Sequence, residues 1–131
     1  MTGRVARYSL RKDGEKYLSP DFQAKEFACR DGSDEIVINL RLVHVLQRVR
    51  DHFGKPVVIN SAYRTKDYNA KVGGAAASQH LNGAAADIAI KGVAPSAVAD
   101  YAETILPTGG IGRYATFTHI DVREGKARWT G

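Results

Sequence analysis

The chain has 131 residues, of which 44% are hydrophobic and 25% charged, with one cysteine and a formal net charge of +5. That length fits one compact domain, residues 1–131, with a core of its own, and the composition excludes wholesale disorder. The lone Cys29 excludes an intrachain disulfide framework and an all-cysteine zinc site, and no apolar run reaches the roughly 20 residues a membrane helix needs. The first ten residues carry Arg4 and Arg7 and lack the continuous apolar stretch of a signal peptide, so a soluble chain is expected, held in the cytosol until release or cut from a longer exported protein. The basic excess favours anionic partners, but it is scattered and has no interleaved aromatics, so no nucleic-acid partner is expected.

Residues 5–10 alternate and read as a weak strand. Ser19-Pro20-Asp21 reads as a helix start, with Ser as cap and Pro in the first turn, leading a short helix to about Phe27. Residues 30–34 read as a turn. The spacing of Leu42, Leu46, Val49 and Phe53 predicts a helix over 40–53, capped by Asn39 and stopped by Gly54. His44 and His52 fall in it, with no ligand-type neighbour. Residues 56–63 read as a buried strand, 65–71 as a short helix, 85–90 as a second buried strand and 95–106 as a second long helix. Residues 111–123 give a further strand with a break near Ala115, and 127–129 return as a short hairpin partner. These elements predict an α+β domain, a largely antiparallel sheet with helices packed on one side.

Three residues could ligate a metal. His80 and Asp87 are seven positions apart, His119 follows later, and two imidazoles plus one carboxylate make a legitimate catalytic zinc set with an open fourth position. Asp87 is a charge among Ala84, Ala85, Ala86, Ile88, Ala89 and Ile90, which is costly unless it is paired or bound to metal. Asp121 shares a strand face with His119, because strand side chains repeat every two residues. Spacing alone leaves the bland alternative open, a loop histidine and a strand-end acceptor.

Ser78-Gln79-His80 followed by Gly83, Ala85 and Asp87 matches the pattern Ser-x-His-x-x-Gly-x-Ala-x-Asp. Upstream stands Ser61-Ala62-Tyr63-Arg64-Thr65; downstream, residues 109–114 (GGIGRY) lead to Phe117-Thr118-His119-Ile120-Asp121. Together these residues resemble the zinc D-alanyl-D-alanine carboxypeptidase family, which also holds L-alanyl-D-glutamate endopeptidases and shares its fold with the hedgehog signalling domain. The resemblance spans about residues 22–129.

It implies a hedgehog/DD-peptidase-like fold and Zn2+ held by His80, Asp87 and His119. It also implies Arg64 as a cleft residue binding a substrate carboxylate or the polarised carbonyl oxygen, and Ser78 as a substrate contact or a brace for the His80 loop. The function implied is hydrolysis of peptidoglycan stem peptides at the bacterial cell wall by a monomer. D-Ala-D-Ala carboxypeptidase type leads, with an endolysin-like endopeptidase and a non-catalytic wall-binding domain as alternatives. One departure stands out. Many family members carry an Asp or Glu three residues before the last zinc histidine, and others a histidine two before it; here those positions hold Thr116 and Phe117. Asp121 is then the nearest carboxylate, as base or as the group that orients His119. Residues 31–36 and 66–77 are the expected groove walls.

Overall fold

A computed structural model of the chain describes residues 3–131. In chain order the elements are β1 (Val5–Ser9), α1 (Leu10–Asp13), β2 (Tyr17–Ser19), β3 (Phe22–Gln23), a 3₁₀ turn (Ala24–Phe27), β4 (Glu35–Asn39), α2 (Leu40–Phe53), β5 (Val58–Ser61) and α3 (Lys66–Lys71). A second 3₁₀ turn (Gln79–Asn82) follows, then β6 (Ala85–Ala89), α4 (Pro95–Ile105), β7 (Gly109–Arg113), β8 (Thr118–Asp121) and β9 (Lys126–Thr130). The central sheet has five strands in the order β5-β6-β8-β7-β9, and every pairing is antiparallel except β7 with β9. The class is α+β, as expected.

Strand alternation splits the chemistry of this sheet. Ala86, Ile88, Ile111 and Ile120 point to one face and are buried with Leu42, Leu46 and Val49 of α2 and Val98, Ala99 and Ala102 of α4. Each isoleucine so buried contributes about 1.5–3 kcal/mol. The opposite face carries one continuous rung: Ser61, Asp87, His119, Gly112 and Trp129 pair in turn across β5, β6, β8, β7 and β9. Cross-strand partners share a face, so the sheet itself brings Asp87 and His119 together.

α2 forms as expected. The Asn39 side chain accepts from the Arg41 N–H at 3.0 Å, and Gly54 ends the helix at φ 64°. His52 stacks on Tyr101 at 3.8 Å and so serves the α2–α4 contact, whereas His44 is exposed.

Several expectations differ. The strand expected as buried over 56–63 is the edge strand β5, buried only at Ile59. Ser19-Pro20-Asp21 is the turn of the β2–β3 hairpin and starts no helix; the 3₁₀ turn begins only at Ala24. The Ser19 hydroxyl donates to Gln47 Oε1 at 2.7 Å, and Gln47 in turn holds Asp21 at 2.7 Å, so a buried amide on α2 takes the groups that would have capped a helix. Residues 35–39 form a strand, β4, paired with β1; buried at Ile36, Val37 and Ile38, it lacks the alternation that marks a half-exposed strand. β7 begins at Gly109 rather than Ile111, because a side chain at Gly110 would overlap the Asp121 carboxylate and one at Gly112 the Trp129 indole. Finally, β9 is no hairpin partner of β8. Both edges of β8 are taken, by β6 and β7, so β9 passes beyond and pairs parallel with β7.

One glycine ties the core to the site. Gly83 closes the second 3₁₀ turn at φ 68°, and a side chain there would run into the Val37 carbonyl. Its own carbonyl accepts from the Asn39 N–H at 2.9 Å. Gly83→Ala is expected to destabilise the fold by roughly 2–3 kcal/mol, from the left-handed backbone and the overlap together. Urea denaturation checks this; an unshifted midpoint contradicts it.

Candidate metal centre

His80 enters from the 3₁₀ turn that precedes β6. The Ser78 hydroxyl caps this turn by accepting the His80 N–H at 3.2 Å. His80 is buried, and its Nδ1–H donates to the Ala62 carbonyl at 2.7 Å, which leaves the Nε2 lone pair free. Nε2 lies 3.4 Å from Asp87 Oδ2. His119 Nδ1 lies 2.9 Å from Asp87 Oδ1, while its Nε2 lies 2.8 Å from Asp121 Oδ2. One ligand atom from each of His80, Asp87 and His119 falls within 4.8 Å of the others.

The donor set fits zinc. Bonds of 2.0–2.1 Å in a tetrahedral site imply ligand–ligand edges of about 3.3 Å. The 3.4 and 2.9 Å contacts, made by the two oxygens of Asp87, are of that order, and the whole set lies within 4.8 Å. Both imidazoles also have one nitrogen already committed to an acceptor on the side away from Asp87, the arrangement that fixes ring orientation in zinc sites. Burial alone would raise the pKa of Asp87, but hydrogen bonds from His119 and His80 outweigh it and hold the carboxyl well below the usual carboxylate range. Burial would likewise lower His119, but its contacts with Asp121 and Asp87 push it up. The Asp87 carboxylate is therefore ionised where a cation would sit.

Asp121 is fully buried on the side of His119 away from Asp87. Its Oδ1 accepts from the Gly110 N–H at 2.9 Å and from Arg123 Nε at 2.8 Å, and its Oδ2 from Arg123 Nη2 at 2.6 Å. Closed to solvent and fully engaged, it has no path to a water beside Asp87.

The set stands on the floor of an open cleft of about 500 Å3. Arg64 forms one side. Its Nε donates to Ser61 Oγ at 3.1 Å and its Nη1 to Asn69 Oδ1 at 3.2 Å, and its Nη2 lies 3.6 Å from Asp87. Residues 72–75 and Ala77 build one wall, as expected; residues 31–36 do not line the cleft, because β4 starts there and turns inward. Ser78 borders the cleft as well as capping the turn.

The far wall comes from residues that the sequence pattern does not mark as cleft-lining. It holds Tyr114, Phe117, Arg123 and Trp129. Arg123 lies two residues beyond Asp121, on the same strand side by the rule that placed Asp121 with His119, so its signal was present in the sequence. Thr116 is exposed and away from the cleft, and Phe117 lines it. Among the described residues that line the cleft, no carboxylate or imidazole stands outside the His80, Asp87 and His119 set.

A two-histidine, one-carboxylate set under an open cleft, on the free face of a half-covered sheet, has the make-up of a catalytic metal centre. A family model described as Peptidase M15 matches residues 16–121, and the chain belongs to that family. It is thus a zinc-dependent peptidase, and its substrates are peptides. No curated protein matches the chain significantly. No described helix is long and apolar enough to cross a membrane.

Proposed function

We propose that this peptidase hydrolyses peptidoglycan stem peptides at the bacterial cell wall, as a monomer, at a bond whose leaving residue carries a free carboxylate next to the leaving amine. The observation that carries this reading is Arg64. Its guanidinium is fixed by Ser61 and Asn69 beside Asp87, at the edge of the cleft. A fork so held recognises a planar carboxylate bidentately. In D-Ala-D-Ala the leaving residue has this carboxylate, which favours the carboxypeptidase reading. In L-Ala-D-Glu linked through the side chain it has one too, so the endopeptidase reading shares the same anchor. The net charge of +5 suits either anionic partner.

His80, Asp87 and His119 would hold the zinc ion. Bound there, the ion supplies Lewis acidity toward a carbonyl oxygen and acidifies a water. Arg64 binds and orients the substrate carboxylate; Ser78 stiffens the turn that presents His80; Asp121 positions His119. Digestion of purified peptidoglycan with mass spectrometry of the soluble products tests the proposal. Loss of a terminal D-Ala marks a carboxypeptidase, and freed stem peptides mark an endopeptidase. Absence of any chelator-sensitive product from zinc-loaded protein overturns the enzymatic reading on this substrate and favours the wall-binding one.

Arg64→Lys keeps the charge and loses the fork. We expect KM to rise about 10–100-fold, the worth of a hydrogen bond to a charged group, with zinc content unchanged. Steady-state kinetics on a peptide with a free terminal carboxylate, against its amide, checks this.

A further inference from the structure

We propose that Tyr114, Phe117 and Trp129 form the subsite for the substrate residue on the acyl side of the scissile bond, with the Tyr114 hydroxyl as its hydrogen-bond donor and an apolar side chain as its occupant. The direction rests on the assignment of Arg64 to the leaving residue's carboxylate. The wall itself stands on separate observations.

The first is the order of the rung. Arg64 contacts Ser61 on β5 and Asp87 on β6, whereas Trp129 sits on β9, over Gly112 of β7, with its ring centroid 5.0 Å from that of His119. Strands lie about 4.8 Å apart. The cleft therefore runs across the strands, with Arg64 toward one end, the ligand set between and the aromatic wall toward the other. A peptide anchored by its leaving residue at Arg64 must lay its acyl side on the aromatic wall.

The second is rigidity. Tyr114 and Phe117 stack in parallel at 4.3 Å, and the Trp129 indole N–H donates to the Tyr114 hydroxyl oxygen at 2.8 Å. Gly112 leaves the space that the indole fills. All three rings remain only partly buried although they line the cleft. A preorganised aromatic surface of this kind favours apolar contact at little entropic cost.

The third is hydrogen-bond balance. A phenol has one O–H to give. Trp129 occupies an acceptor site on the Tyr114 oxygen, and no described residue accepts from that oxygen in return. Its donor is available to a peptide carbonyl.

The fourth is charge. The nearby cation, Arg123, is paired bidentately with Asp121, and Phe117 adds a phenyl ring to the same cleft wall. A charged acyl-side chain would lose water there and find no free partner.

Trp129 is the chain's one tryptophan, so its fluorescence reports on this wall alone. The zinc-loaded full chain is titrated with N-acetyl dipeptides ending in alanine, aspartate or lysine, which represent the acyl side, and with free D-alanine and D-glutamate, which represent the leaving side. The alanine dipeptides are expected to shift Trp129 emission and to bind about tenfold tighter than the aspartate and lysine ones. The free amino acids are expected to leave the emission unchanged. Phe117→Ala should reduce that preference to about twofold. Tyr114→Phe should weaken all acyl-side ligands up to about tenfold, the worth of one hydrogen bond. Zinc content and circular dichroism confirm that each variant is folded. A tryptophan response to the leaving-side amino acids only, or a preference untouched in Phe117→Ala, overturns the proposal. Arg64→Lys separates the two readings: it should leave the acyl-side tryptophan response intact while carboxylate recognition falls.

Discussion

Asp87→Ala is expected to abolish zinc retention and peptidase activity together. Asp87 is the shared member of the set, with one carboxylate oxygen 3.4 Å from His80 Nε2 and the other 2.9 Å from His119 Nδ1. Its removal does more than delete one ligand. Arg64 Nη2 stands 3.6 Å from Asp87, so without the carboxylate the guanidinium charge faces the divalent cation unopposed. Two imidazoles beside a fixed positive charge make a poor zinc site. The loss of activity should exceed the roughly 10²–10³-fold that removal of a single charge-stabilising group costs. Zinc measured after dialysis against a weak chelator, together with the peptidoglycan digest, checks both parts. A variant that keeps one zinc per chain would remove Asp87 from the ligand set.

The ligand set was legible because its signals are local. An aspartate among alanines and isoleucines marks a carboxylate that must be held, and the period of two puts Asp121 on the His119 side of its strand. The two long helices were legible for the same reason, a stripe at helical spacing, with Asn39 and Gly54 bounding α2 and Pro95 opening α4. What escaped depended on partners remote in sequence. Ser19 and Asp21 carry the chemistry of a helix start, and only the arrival of Gln47 from α2 makes them a hairpin turn. Ile36 to Ile38 show no alternation because both faces are covered. The glycines of β7 look like strand breakers until the Asp121 carboxylate and the Trp129 indole are seen to fill the space beside them. The aromatic wall needed the parallel placement of β9, which no local pattern encodes.

Asp121→Asn is the substitution that separates positioning from base chemistry. In the wild type, five donors converge on the carboxylate: the Gly110 and Arg123 backbone N–H groups, two nitrogens of the Arg123 guanidinium, and His119 Nε2. An asparagine retains one acceptor oxygen and turns an NH2 group toward Arg123 or His119, so a donor meets a donor. It also leaves the Arg123 charge without its partner. Breaking a buried ion pair costs about 3–5 kcal/mol, and Arg123 is partly exposed, so the lower end is expected. At this chain length that is a fall in Tm of about 10 °C. Zinc affinity should drop about 10–100-fold, since the group that orients His119 and fixes its proton on Nε2 is weakened. The pH dependence follows from the same contacts. Burial raises the Asp121 pKa, but hydrogen bonds from Arg123 and His119 outweigh it and hold the carboxyl below the usual range. A depressed folded pKa contributes stability that is complete above about pH 4, the unfolded value, and is lost as pH falls through the folded one. The stability gap between wild type and Asp121→Asn should therefore be full at neutral pH and narrow in strong acid. Thermal melts across pH and a zinc competition titration measure both. Wild-type zinc affinity in Asp121→Asn, with catalysis alone abolished, would return Asp121 to the role of base.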